Sequence, residues 1–157
     1  VYGPWGRPDM APMIFTKSIL EGKSIDIYNF GKMKRDFTYI DDIVESIFRC
    51  CFKPATPDKK FNFYNPDSSK SFAPYRIFNV GNSNAIELLS FICTLEKKIG
   101  KSAIKILKPI PKADVEITFA ECSKLEKWIN FKPQTSLEIG IDNFIKWYKR
   151  YYLIDKL

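Results

Sequence analysis

Apolar positions along the chain switch repeatedly between helical and strand spacing. After a turn-rich stretch at 1–9, with two glycines and two prolines, Met13, Ile14, Ile19 and Leu20 follow a helical period. Asp9 is placed to cap this helix, and Glu21-Gly22 to end it. Ile25 to Tyr28 alternates and predicts a strand, closed by the turn residues Asn29-Phe30-Gly31. Arg35 to Thr38 predicts a second short strand. A helix starting at Asp41 or Asp42 then carries Ile43, Val44, Ile47 and Phe48 at helical spacing. Residues 53–73, with Pro54, Pro57, Pro66 and a Ser-Ser-Lys-Ser run, predict a long loop and the most mobile part of the chain. Tyr75 to Val80 predicts a mostly apolar strand ending at Gly81, and Ala85 to Ile99 a helix; a strand feeding a helix is the unit of a parallel sheet. Ile104 to Leu107 predicts another strand, and Pro109-Ile110-Pro111 a loop. Ser123 is expected to cap a short helix through Trp128. Ser136-Leu137-Glu138 opens the last helix, with Ile139, Ile141, Phe144, Ile145, Trp147 and Tyr148 on its apolar side. No internal repeat is visible.

With 157 residues, 45% hydrophobic and 27% charged, the chain can form one domain with a real core. No apolar run approaches the ~18 residues of a membrane span, and no basic stretch leads into an apolar one at the N-terminus. We therefore expect no membrane association and a cytoplasmic protein. The formal charge of +7 arises from 25 Lys+Arg against 18 Asp+Glu, but the lysines are scattered, which argues against nucleic acid. Cys50, Cys51, Cys93 and Cys122 form no Cys-x-x-Cys pair and there is no histidine, so no metal site is expected. Cys50 and Cys51 end an apolar run and are expected to be buried thiols in a reducing compartment.

Three segments invite a chemical reading. Gly3-Pro4-Trp5-Gly6-Arg7-Pro8-Asp9 lacks the third glycine of a dinucleotide fingerprint; on spacing alone it is a turn stiffened by proline and packed by Trp5. A helix starting near Asp9-Met10-Ala11 would present free N–H groups, which favour a diphosphate. Arg35, on spacing alone, is one of 25 basic residues. Tyr28 and Lys32 spell Tyr-x-x-x-Lys, but Asn29 and Gly31 make a turn there, and a catalytic pair needs a helix to bring residues four apart onto one face.

The ordered segments VYGPWGRPDM, FTK, ILEGK, IDIYNFG, RDFTYIDDIVE, FNVGNS and FKPQTSLEIGIDNFIKWY closely resemble the C-terminal part of extended short-chain dehydrogenase/reductase epimerases, in particular UDP-glucuronate 4-epimerases. The resemblance covers nearly the whole chain. It implies an α/β fold: a C-terminal substrate-binding lobe with the last strands of a Rossmann-type sheet, residues 1–157 forming one partial domain, and the N-terminal NAD-binding part missing. It implies that Arg7 reaches the sugar, whose carboxylate or hydroxyls suit a guanidinium fork. Arg35 would pair with the nucleotide diphosphate. The Ile25–Tyr28 strand would face the uracil, and Tyr2 and Pro4 would run past the nicotinamide end of NAD. Pro111-Lys112-Ala113-Asp114-Val115 departs from the family's Gln-Pro-Gly-Asp pattern, leaving Lys112 as a substitute point charge.

The glycine-rich NAD loop and the catalytic tyrosine–lysine pair of that family have no counterpart in these residues. NAD is thus expected in the intact family and not on this chain alone. The expected function is the UDP-sugar-binding portion of an NAD-dependent 4-epimerase, partnered by an N-terminal NAD-binding part or a homodimer mate. The alternatives are an inactive remnant or assembly module, or part of a related dehydratase or reductase.

Overall fold

The computed structural model describes residues 1–154. In chain order its elements are α1 (Ala11–Leu20), β1 (Ser24–Ile27), a 3-10 turn (Tyr28–Gly31), β2 (Lys34–Asp36), α2 (Ile40–Cys51), β3 (Ala85–Glu87), α3 (Leu88–Ile99), β4 (Ile104–Leu107), α4 (Ser123–Ile129) and α5 (Leu137–Tyr151). β1 pairs in parallel with β4, Ser24 opposite Ile104 and Ile27 opposite Leu107. β2 pairs antiparallel with β3, Lys34 opposite Glu87 and Asp36 opposite Ala85. None of the helices among the described residues is long and apolar enough to cross a membrane.

The core is built around α3. Phe91, Ile92 and Leu95 are fully buried, with Ile19 of α1, Ile25 and Ile27 of β1, and Ile141 and Phe144 of α5 packed about them. Four aromatic rings tie the N-terminus into this core. Phe37 stacks on Phe91 with centroids 4.3 Å apart, and Tyr2 meets Phe37, Tyr39 and Phe91 edge-on. The backbone of Tyr2 is fixed as well: its N–H donates to Thr38 O (2.9 Å) and its carbonyl accepts from Ile40 N (2.9 Å).

Several elements differ from the sequence expectation, each for a local reason. Asp9 does not cap α1; its carboxylate faces the Arg7 guanidinium, and Met10 takes the cap position without a side-chain bond. Tyr28 leaves the strand and opens the 3-10 turn, with Asn29 and Phe30 at positive φ. β2 begins one residue earlier than expected and stops at Asp36. Tyr75 to Val80 is not a strand: among the described residues the bridge between Lys70 and Arg76 and the bond from Ile77 N to Ser69 O (2.9 Å) do not extend into a ladder. Ala85–Glu87, expected as helix, is taken by β3 because β2 offers it a partner, and the helix starts at Leu88. Cys122, not Ser123, precedes α4. Ser136 caps α5 as expected, its Oγ accepting from Ile139 N (3.3 Å).

The largest departure is in α2. Its apolar side faces outward: Val44, Ile47 and Phe48 are each more than half exposed, while Asp42 and Ser46 are buried. Asp42 earns its burial through Oδ2, which accepts from Thr135 N (2.9 Å) and holds the segment entering α5. The same orientation exposes Cys51 and leaves Cys50 half-buried. Cys93 is exposed as well, and Cys122 alone of the four free thiols is buried.

Gly140 in α5 lies directly over Tyr2. A Cβ there would sit 2.7 Å from Tyr2 Cζ and closer still to the hydroxyl, which is buried with no hydrogen-bond partner among the described residues. We expect Gly140→Ala to destabilise by about 1–3 kcal/mol through overpacking. Tyr2→Phe alone should cost under about 1 kcal/mol, because the deleted hydroxyl has no partner, and combined with Gly140→Ala it should recover part of the loss. Urea midpoints of the four proteins test this; an unchanged midpoint for Gly140→Ala would rule out the close approach.

Candidate functional site

α1, β1 and β2 converge on one cleft of about 650 Å³. Its walls include Tyr2, Asp9, Met10, Ala11, Ile25, Tyr28 and Arg35, which the sequence singled out from four separate stretches. Pro4, Arg7 and Lys112 do not line it. Arg7 is exposed and turned onto Asp9, its Nε donating to Oδ1 at 3.1 Å. Lys112 is exposed on the loop before Asp114. The cleft also contains residues that sequence reasoning passed over: Asp26, Met33, Asp36, Asp114 and Thr118. Only Asp114 carried a signal, as part of the irregular Pro111–Val115 stretch. The others come to the cleft through long-range pairings: Asp26 beside Ile106, Met33 with Leu88, and Asp36 with Thr118.

The start of α1 offers less to an anion than its sequence suggested. Pro12 has no N–H, and Met13 N and Ile14 N both donate to Met10 O at 3.0 Å. Met10 N donates to Arg7 O, leaving Ala11 N–H as the helix-start donor without a partner among the described residues.

Arg35 is anchored on three sides. Its Nη1 donates to Lys34 O (2.9 Å) and Glu116 O (3.1 Å), and its Nη2 donates to Asp114 Oδ1 (2.8 Å). β2 and the 116–118 segment are further joined by Lys34 N to Glu116 O (2.8 Å) and Thr118 N to Lys34 O (3.1 Å). Next to Arg35, the Asp36 carboxylate collects backbone donors. Oδ1 accepts from Asn82 N (3.2 Å) and Asn84 N (3.4 Å), and Oδ2 from Ser83 N (3.1 Å) and Ala120 N (3.1 Å). Across the cleft, Lys108 Nζ donates to Asp26 Oδ2 at 2.6 Å, and this bond raises the Lys108 ammonium pKa.

The titratable groups suit binding better than proton transfer. The Arg7 guanidinium holds Asp9 below the usual carboxylate range, so it is an anion at neutral pH. Burial, chiefly, pushes the Tyr2 phenol above its ordinary value, so it stays protonated and cannot act as a base. Tyr28 and Lys32 sit at the two ends of a turn containing three positive-φ residues, Asn29, Phe30 and Gly31, a backbone that does not bring them onto one helical face.

The glycines do not make a dinucleotide cradle. Gly22 and Gly100 follow the ends of helices, and Gly3, Gly31, Gly81 and Gly140 are packed against Ile40, Leu89, Ala120 and Tyr2. An NAD pyrophosphate needs a glycine turn opening directly onto a helix N-terminus. Gly6, the glycine nearest the start of α1, is separated from it by four residues and is packed against Gly3 O.

The chain is similar to several known proteins. The profile of the family described as "NAD dependent epimerase/dehydratase family" matches residues 1–81. Protein CapI of Staphylococcus aureus is 47% identical over 97% of this chain and 46% of its own length. A probable UDP-glucuronate 4-epimerase of Rhizobium meliloti is 44% identical over 97% of this chain and 45% of its own length. The crystal structure of UDP-glucuronic acid 4-epimerase from Bacillus cereus in complex with UDP-glucuronic acid and NAD superposes with a TM-score of 0.77 at 30% identity, covering 96% of this chain and 43% of that one. The chain thus spans somewhat under half the length of these relatives.

The Asp36 carboxylate sets the floor of the site. Asp36→Ala should cost about 2–4 kcal/mol, because it strands several partly buried N–H groups at once, and Asp36→Asn should cost less because one acceptor oxygen remains. Urea denaturation checks the order, and faster amide exchange at 82–84 in Asp36→Ala should accompany it. Equal stability of all three proteins would remove Asp36 from this role.

Proposed function

This chain belongs to the NAD dependent epimerase/dehydratase family, and on that premise we propose that it is the C-terminal, sugar-nucleotide-binding portion of a UDP-sugar 4-epimerase of the UDP-glucuronate/UDP-galacturonate type. The observation that carries this reading is the cleft itself. Residues from the start of α1, from β1 and from β2 meet there, and among the described residues Arg35 is the one cationic side chain that lines it. In this reading β1 and the turn after it run beside the uracil through Ile25 and Tyr28, Ala11 N–H and Arg35 meet the diphosphate, and Arg7 swings from Asp9 toward the sugar. Lys112 stays at the margin. The uronate assignment is supported by the names of the Rhizobium relative and the Bacillus structure.

Hydride chemistry at the sugar C4 requires NAD, which the Bacillus cereus neighbour holds and which the residues of this chain do not cradle. These residues bind and orient; they do not supply a base. An NAD-binding part is the partner we propose, docked on the outward apolar side of α2 and along the extended 75–80 segment. Val44, Ile47, Phe48 and Phe52 there form a run of exposed apolar residues of the kind that marks an interaction surface. A second copy of this chain, as in an inactive assembly module, would use the same face. Four free thiols agree with a reducing, cytoplasmic setting.

Two measurements test the reading. Calorimetry on the chain should give weak UDP binding and no saturable NAD binding at micromolar levels. Arg35→Ala should then weaken UDP by about 1.5–3 kcal/mol. Because Arg35 also ties β2 to Asp114 and Glu116, the same substitution should lower fold stability measurably. Replacing the matching segment of an intact homologue with this chain should yield an enzyme that interconverts UDP-glucuronate and UDP-galacturonate in preference to neutral UDP-hexoses. A chimera that folds and binds NAD but turns over no UDP-sugar pair would sink the proposal, and one that prefers neutral hexoses would remove the uronate assignment.

A further inference from the structure

Away from the cleft, the Trp128 ring of α4 carries two cations. Arg76 Cζ lies 4.9 Å and Lys53 Nζ 5.0 Å from its centroid. None of these three residues lines the cleft. The ring is fixed in place: Trp128 Nε1 donates to Lys53 O (3.0 Å), and Phe78 is tilted against it with centroids 5.9 Å apart. Arg76 and Phe78 thus turn to α4, whereas Tyr75 and Ile77 beside them are exposed. Arg7, Arg35 and Arg49 each face a carboxylate. Arg76 faces none among the described residues, and its Nε is buried without an acceptor. The nearby acid, Asp58, is already taken. Its Oδ2 meets Lys70 Nζ at 2.8 Å and its Oδ1 accepts from Lys60 N at 3.0 Å. The Lys70 bond, chiefly, holds Asp58 below the usual carboxylate range, and Arg76 adds a smaller pull. Lys124, one turn before Trp128, is paired with Asp67.

We propose that Arg76, Lys53 and Trp128 form a second anion site, separate from the cleft and suited to a phosphate group. The ring attracts the guanidinium charge but is a poor acceptor for its five N–H donors. A buried N–H without an acceptor is destabilising, and an oxyanion supplies the missing one. A small rotation of the guanidinium over the ring brings Nε and one Nη to the surface together, the fork that grips two oxygens of a single anion. Charge favours phosphate over carboxylate. Two cations without a carboxylate partner among the described residues stand within about 10 Å of each other, which suits a group bearing close to two negative charges. Asp58 does not repel it strongly, because Lys70 neutralises that carboxylate. The site is open to a ligand, with Lys53 exposed and Arg76 half-buried.

The test is proton–nitrogen NMR of the chain titrated with inorganic phosphate at constant ionic strength. The Trp128 indole N–H and the Arg76 Nε–H report on the site, and the amides of Arg35 and Asp36 report on the cleft. The first pair should shift saturably. Arg76→Gln, followed at Trp128, should weaken binding by about tenfold or more, and Arg76→Lys, which keeps the charge and loses the fork, by less. Lys53→Gln should weaken it by about threefold, because that ammonium is more exposed. This exposed position keeps the test decisive should the Arg76 variants misfold. Acetate should bind at least about tenfold more weakly than phosphate. Glycerol phosphate binding as tightly as phosphate marks an ester as the ligand and weaker binding marks the free ion; either supports the site. Equal binding of acetate overturns the phosphate assignment. Shifts matched by chloride, or untouched by both the Arg76 and the Lys53 substitutions, overturn the site. Shifts confined to Arg35 and Asp36 also overturn it, by placing the phosphate in the cleft.

Discussion

The Asp36 carboxylate is the constraint on which the rest of the site depends. One side chain at the end of a three-residue strand accepts backbone N–H groups from two loops, 82–84 and 120, that lie more than forty residues away along the chain. An ionised carboxylate is well suited to this, since each bond to it is charge-assisted and stronger than a neutral one. Asp36 also fixes its neighbours. Arg35 is held at the cleft and Phe37 is stacked on Phe91 of α3, so one short segment joins the site, the loops and the core. Such a segment has little tolerance for slippage, because moving it by one residue would take all three away from their partners.

The cleft achieves its charge balance outside itself. Asp9 and Asp26 are neutralised by Arg7 and Lys108, which stand behind the lining. The surface seen by a ligand is therefore acidic in side-chain count, yet nearly balanced in charge. The chain's net charge of +7 says nothing about this, because most of its lysines lie elsewhere. Local pairing decides what an anion meets on entering.

The helix α2 shows a different economy. Its buried side is polar and its exposed side apolar, the reverse of a helix that serves a single core. Asp42 and Ser46 are accepted inside because both are bonded, Asp42 to Thr135 N and Ser46 Oγ to Asp42 O (2.7 Å). The exposed side carries Val44, Ile47 and Phe48 together, an apolar patch of the kind that marks an interaction surface.

Periodicity and turn residues by themselves determined where most helices lie. α1, α2, α4 and α5 all fall where apolar spacing puts them, though of the expected capping residues only Ser136 of α5 sits at its helix start with a side-chain bond. The segments bearing the resemblance also contain residues that line the cleft, Arg35 and the start of α1 among them. Tertiary structure alone decided the rest. Ala85–Glu87 became strand and Tyr75–Val80 did not, because a strand exists only where another backbone continues beside it as a ladder. α2 turned outward because Thr135, far along the chain, satisfies Asp42. Asp114 came to hold Arg35 because the 116–118 segment pairs with Lys34 across some eighty residues. No local pattern encodes such meetings, since they depend on which distant groups find their hydrogen-bond partners once the core has closed.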